Sequence, residues 1–161
     1  MKSFNLFSLS ILLFSISFMA CTGNSDAISD NPEPDIVIEG SVTMDNNGAS
    51  EYVVTAITGD GAEASVNSPN PEIILVIGGR YTFINNSGAS SHPLDFRNED
   101  RTKLFGQSRN DGLFDDDPDA EIIFDEDTIT FTLTEQLASE LFDYVCSFHP
   151  GMNGTVSVID N

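Results

Sequence analysis

From Asp35 to the C-terminus, apolar residues recur at every second position in short runs cut by glycine, asparagine and aspartate, a rhythm that confines the chain to β structure. A half-buried strand needs this period of two, because successive side chains point to opposite faces. Ile36, Ile38, Val42 and Met44 alternate with Val37, Glu39, Ser41 and Thr43, with Gly40 marking a bulge and Asp45-Asn46-Asn47-Gly48 a turn. Tyr52 to Thr58 is β-branched and aromatic and ends at Gly59-Asp60-Gly61. Ile73 to Ile77 is apolar on both faces, and Gly78-Gly79 turns it into Arg80 to Asn85 as a hairpin. Ile122 to Phe124 reads as a short strand. Thr128 to Leu133 sets threonines facing water against Ile129, Phe131 and Leu133. Thr134 to Leu141 holds the good helix formers and reads as the single short helix. Phe142 to Cys146 and Gly154 to Ile159 are the last strands, with Phe142, Tyr144 and Cys146 packing inward from one face. Seven or eight short strands and one short helix predict an all-β fold, an antiparallel β-sandwich.

Residues 1–20 have a basic start at Lys2, an apolar middle from Leu6 to Met19 and a small residue, Ala20, before Cys21. That is a secretory signal rather than a membrane span, and Cys21 after Ala20 resembles a bacterial lipobox, which would make Cys21 the lipidated first residue. Phe18 departs from the leucine usual three positions before that cysteine; a plain secreted protein is the alternative. Either way the compartment is extracytoplasmic, and a lipid anchor in the bacterial envelope, in the outer membrane at its periplasmic or surface face, is the expectation. Residues 21–34 are polar with two prolines and read as a flexible tether. Residues 35–161 form one ordinary domain.

Twenty-six acids against six bases give a net charge of -20. Such a surface repels nucleic acid and anionic membranes, so a basic protein is the natural partner, although acids also simply keep a surface soluble. The protein is expected to be a monomer.

Against this frame stands Cys146-Ser147-Phe148-His149-Pro150-Gly151-Met152, with a thiol, an imidazole and a thioether at i, i+3 and i+6. Soft sulfur donors with imidazole select copper over magnesium or calcium, and two His with one Cys under a weak axial Met is the blue-copper geometry. The second imidazole has one source, because His92 is the only other histidine. With Cys21 assigned elsewhere, no pair of cysteines is left for a disulfide. The plain alternative is a buried free thiol beside a structural histidine and a core methionine.

These residues resemble the cupredoxin family, the small blue copper proteins such as plastocyanin and amicyanin, over roughly residues 35–161. The spacing from Cys146 through His149 to Met152 is similar to the short amicyanin-type loop. Tyr144, Gly154-Thr155-Val156, and Asn70-Pro71-Glu72-Ile73 followed by Gly79, Tyr81, Phe83, Asn85 and Asn86 match in order. The resemblance implies a Greek-key β-sandwich and one copper ion held by His92, Cys146, His149 and Met152. It also implies an apolar docking patch of Pro93, Leu94, Phe148 and Pro150 around His149. Three features depart from it. Pro93 lacks the N–H that many relatives aim at the cysteine sulfur. Phe148 replaces a common proline. The acidic stretch Arg97 to Glu121 is long, and reads as a solvated insertion, with a partner-docking loop or a weak calcium site as alternatives; it fails the EF-hand spacing.

The function implied is one-electron transfer by Cu(I)/Cu(II) cycling between redox partners in the cell envelope. Copper capture, buffering or delivery uses the same ligands and is the main alternative; a metal-free adhesion or sugar-binding sandwich is a third. Catalysis finds little support, because multicopper enzymes need further histidines and a binuclear copper site needs a second nearby cysteine.

Overall fold

The inward positions of the alternating runs are the ones the fold buries. In the computed structural model, which describes residues 37–161, Val42, Met44, Tyr52, Val54, Tyr81, Phe83, Ile129 and Phe131 are all fully enclosed. The strands are β1 (Glu39–Asn47), β2 (Glu51–Gly59), β3 (Ala62–Ala64), β4 (Ile73–Val76), β5 (Arg80–Asn85), β6 (Leu94–Arg97), β7 (Lys103–Gly106), β8 (Ile123–Phe124), β9 (Thr128–Thr132), β10 (Asp143–Cys146) and β11 (Asn153–Ile159). One helix, α1 (Glu135–Glu140), lies between β9 and β10, capped by the Thr134 hydroxyl accepting from the Leu137 amide. Two sheets form the sandwich, in the orders β2-β1-β5-β9-β8 and β3-β4-β11-β10-β6-β7.

The all-β sandwich with one short helix is as the sequence predicts, and several details differ. Both sheets are mixed rather than antiparallel, since β1 runs parallel to β5 and β4 parallel to β11. Gly78-Gly79 does not close a hairpin: β4 and β5 belong to different sheets, and the two glycines carry the chain across the end of the sandwich. The Tyr81 hydroxyl fastens that corner, accepting from the Val76 amide at 2.9 Å and lying 2.8 Å from the Val76 carbonyl. The bulge in the β1–β2 pairing is at Thr55 of β2, opposite Thr43 and Met44, not at Gly40. Gly40 instead lets the Tyr81 ring approach, for a Cβ there would lie 3.1 Å from it and 2.7 Å from the Asp60 carbonyl. Among the described residues there are eleven strands where seven or eight were expected.

Among the unexpected strands, β6 and β7 matter most, and they explain the acidic stretch. Their residues are buried on both faces, so no alternation announced them. The Arg97 to Glu121 segment is thus not a solvated insertion: it supplies β7 and delivers Leu104, Phe105, Phe114 and Ala120 to the core. Its acids shape turns, with the Asp117 carboxylate accepting from the Asp119 and Ala120 amides at 2.8 and 3.1 Å.

Four phenylalanines lock the layers together, two from each sheet. Phe96 stacks on Phe105 at 4.6 Å and meets Phe83 edge-on at 5.0 Å, while Phe131 contacts all three at 4.8 to 5.8 Å. Aromatic pairs at these separations add to their burial energy. Replacing Phe131, which bridges the two sheets, by Ala should destabilise the protein by roughly 3–5 kcal/mol, read as a lower urea midpoint.

Candidate metal centre

Strand register brings the distant histidine to the thiol. Cys146 is the last residue of β10 and pairs with Leu94, the first of β6, so His92 arrives beside it although 54 positions separate them. The Cys146 Sγ lies 3.7 Å from His92 Nδ1 and 3.6 Å from His149 Nδ1, and the two nitrogens are 3.1 Å apart. A point equidistant from the corners of that triangle is about 2.0 Å from each, in line with metal–imidazole and metal–thiolate bonds of roughly 2.0–2.3 Å. Three donor atoms thus surround a space of the size of a bound metal ion. Among the described residues this is the one group of three His, Cys, Asp or Glu donors gathered within reach of an ion. No such group lies in the acidic segment among the described residues.

The loop that carries His149 is closed by its own backbone. The Cys146 amide donates to the Met152 carbonyl at 2.9 Å, the Met152 amide to the His149 carbonyl at 2.8 Å, and the His149 amide to the Cys146 carbonyl at 3.2 Å. Met152 is fully buried immediately before β11, and Cys146 is equally enclosed. Both imidazoles are only partly covered. Pro93, which has no amide hydrogen, contributes its carbonyl instead, accepting from the Ser147 amide at 3.1 Å.

His92 is held from three sides. Its carbonyl accepts from the Tyr52 hydroxyl at 2.7 Å and from Asn85 Nδ2 at 2.8 Å, and its amide donates to the Gly88 carbonyl at 3.0 Å. Asn85 is fixed in turn by the Gln107 side chain at 2.8 Å and by the Ser87 amide at 3.2 Å. The Asn46 side-chain Nδ2 lies 3.4 Å from Nε2, the ring nitrogen turned away from the thiol. Burial, and then the neighbouring His149, hold the His92 pKa below its ordinary value, favouring the neutral ring that a metal requires. Burial, and then the Cys146 charge, push the Tyr52 hydroxyl far up, so it keeps the proton it donates.

His92, Cys146 and His149 therefore converge as the sequence predicts, and Met152 lies buried in the same loop. Cys21 falls outside the described residues, as do the leader and the whole tether. Two expectations are corrected. Phe142 precedes β10 and is 43% exposed rather than packed inward with Tyr144. Of the docking patch, Leu94 and Pro93 are buried, leaving Phe148 and Pro150 at the surface. Sequence reasoning assigned no site role to Tyr52, Asn85, Asp95 or Ser147. Asn85 carried a usable signal, being a polar residue at the inward position that follows Tyr81 and Phe83 on β5.

The chain matches no protein-family model and no curated protein. What the centre can hold follows from its donors. A thiolate and two neutral imidazoles suit a borderline-soft transition metal and not calcium or magnesium.

Tyr52→Phe leaves the His92 carbonyl with a single side-chain donor. Stability should fall by about 1 kcal/mol in urea denaturation, and metal affinity by roughly ten-fold in competition with a chelator.

Proposed function

We propose that this protein is a cupredoxin-like type 1 copper protein that carries single electrons between partners in the bacterial cell envelope. The observation that carries the reading is the His92–Cys146–His149 triangle, already at bonding size, at the rim of a rigid sandwich. A structural zinc site closes with four Cys or His donors, and among the described residues only three gather here. A thioether is a copper donor, and Met152 is the fourth member of the proposed set.

A copper ion bound there supplies one-electron chemistry between Cu(I) and Cu(II). The protein's part is to keep the donors still. Cys146, fully buried on a paired strand, gives the thiolate; His92, anchored by Tyr52 and Asn85, and His149, fixed by the closed loop, give the nitrogens. Because these positions are set by backbone pairing and buried hydrogen bonds, little needs to move when the charge of the centre changes. Phe148, 60% exposed, and Pro150 flank His149 in sequence and offer a small apolar contact, while the acidic surface steers a basic partner. Lipidation at Cys21 would keep the domain at the membrane through its tether.

The test is the absorption spectrum of the copper-loaded, oxidised protein, followed by redox cycling beside a chelator. An intense visible thiolate-to-copper band, lost in Cys146→Ala, with copper retained over many cycles, is expected. Copper that passes readily to the chelator would mean capture and delivery instead. A spectrum with no such band would refute the type 1 centre.

A further inference from the structure

Asp95 is a carboxylate only 6% exposed on β6, three residues after His92. Burying such a group costs several kcal/mol unless it is well bonded, so its partners indicate why it is there. Oδ1 accepts from the Ser108 amide at 3.0 Å, and Oδ2 accepts from the Ser108 hydroxyl at 2.5 Å. The Lys103 ammonium lies 3.8 Å from Oδ1 and is itself tied to Ser108 Oγ, the Arg109 carbonyl and Asp111. All of these come from the β6–β7 hairpin and the segment after it. The remaining partner does not: the Ser147 hydroxyl, on the residue directly after the thiol, donates to Asp95 Oδ2. Gly106 stands opposite Asp95 in the ladder at φ +152°, and a Cβ there would run into the carboxylate. Backbone, charge and hydroxyls are thus all arranged around this one side chain.

We infer that Asp95 is a positioning residue for the metal centre, acting through Ser147; this rests on the copper reading above. The β10–β6 ladder ends at Cys146, and beyond it the loop, closed on itself by the amides of Cys146, His149 and Met152, is tied to the His92 side at Ser147. Two bonds make the tie. The Ser147 amide is held by the carbonyl of Pro93, next to His92, and the Ser147 hydroxyl by Asp95. The peptide leaving Cys146 is thereby fixed relative to His92, which sets the approach of His149 on the same loop. The acidic segment acquires a role in this arrangement, because it brings Lys103 and Ser108 to the carboxylate that braces the loop.

The test uses the full chain in detergent, with copper as the probe, a competing chelator for affinity, and the thermal midpoint of the copper-free protein as control. Ser108 and Lys103 still serve the carboxylate without it, so Ser147→Ala should lower that midpoint only slightly while weakening copper binding roughly ten- to hundred-fold; Ser147→Thr should restore it. Asp95→Asn should weaken binding similarly and also raise the reduction potential, since a buried negative charge that favours Cu(II) over Cu(I) is removed. Because both act through one contact, the double variant should be no weaker than the poorer single one. Wild-type affinity in Ser147→Ala, or losses that multiply in the double variant, would overturn this role alone. A wild-type chain that takes up no copper would overturn the copper reading and this one together.

Discussion

The pairing of β6 with β10 is the constraint on which the rest depends. It sets Leu94 against Cys146 and so brings His92 to the thiol across 54 positions. A shift of one residue would turn Cys146 away from the core and carry His92 off with the opposite face. What prevents the shift is the packing beneath. Phe96 of β6 sits between Phe105 and Phe83, and Tyr144 of β10 packs edge-on to Tyr52 at 6.1 Å while donating to the Pro71 carbonyl at 2.7 Å. The aromatic core and the donor triangle are therefore one structure: the first holds the register, and the register builds the second.

Above that foundation lies a shell of polar groups serving the donors without being donors themselves. Tyr52 and Asn85 converge on one carbonyl, that of His92, and Ser147 is caught between Pro93 and Asp95. Each is a buried or half-buried bond in a place where an unmade one is costly, so the shell resists distortion. Holding ligands in place before the metal arrives is what a site needs when its charge is to change with little motion.

Much of this was legible in the chain. Alternation named the inward residues of β1 and β9, and the Cys-x-x-His-x-x-Met spacing with a lone upstream histidine named the triangle. The failures have a common cause, since each depends on which strand neighbours which. Leu94-Asp95-Phe96 is buried on both faces and shows no period, so β6 passed unseen, and with it the reason for the acidic stretch. Gly78-Gly79 carries a turn signal whether the chain doubles back in one sheet or crosses to the other. Phe142 continues the apolar phase of β10 but lies one residue before the strand begins. Asp95 looked like one more acid in an acidic protein, and only the Gly106 opposite it and the Ser147 hydroxyl beside it mark it out.

In the proposed centre two imidazole nitrogens and one thiolate close around a single copper ion. X-ray absorption at the copper edge of the loaded protein measures those neighbours directly. The account predicts a shell of two nitrogens near 2.0 Å and one sulfur at roughly 2.2–2.3 Å, the latter absent from Cys146→Ala. A shell of nitrogen and oxygen alone in the unmodified protein would contradict it.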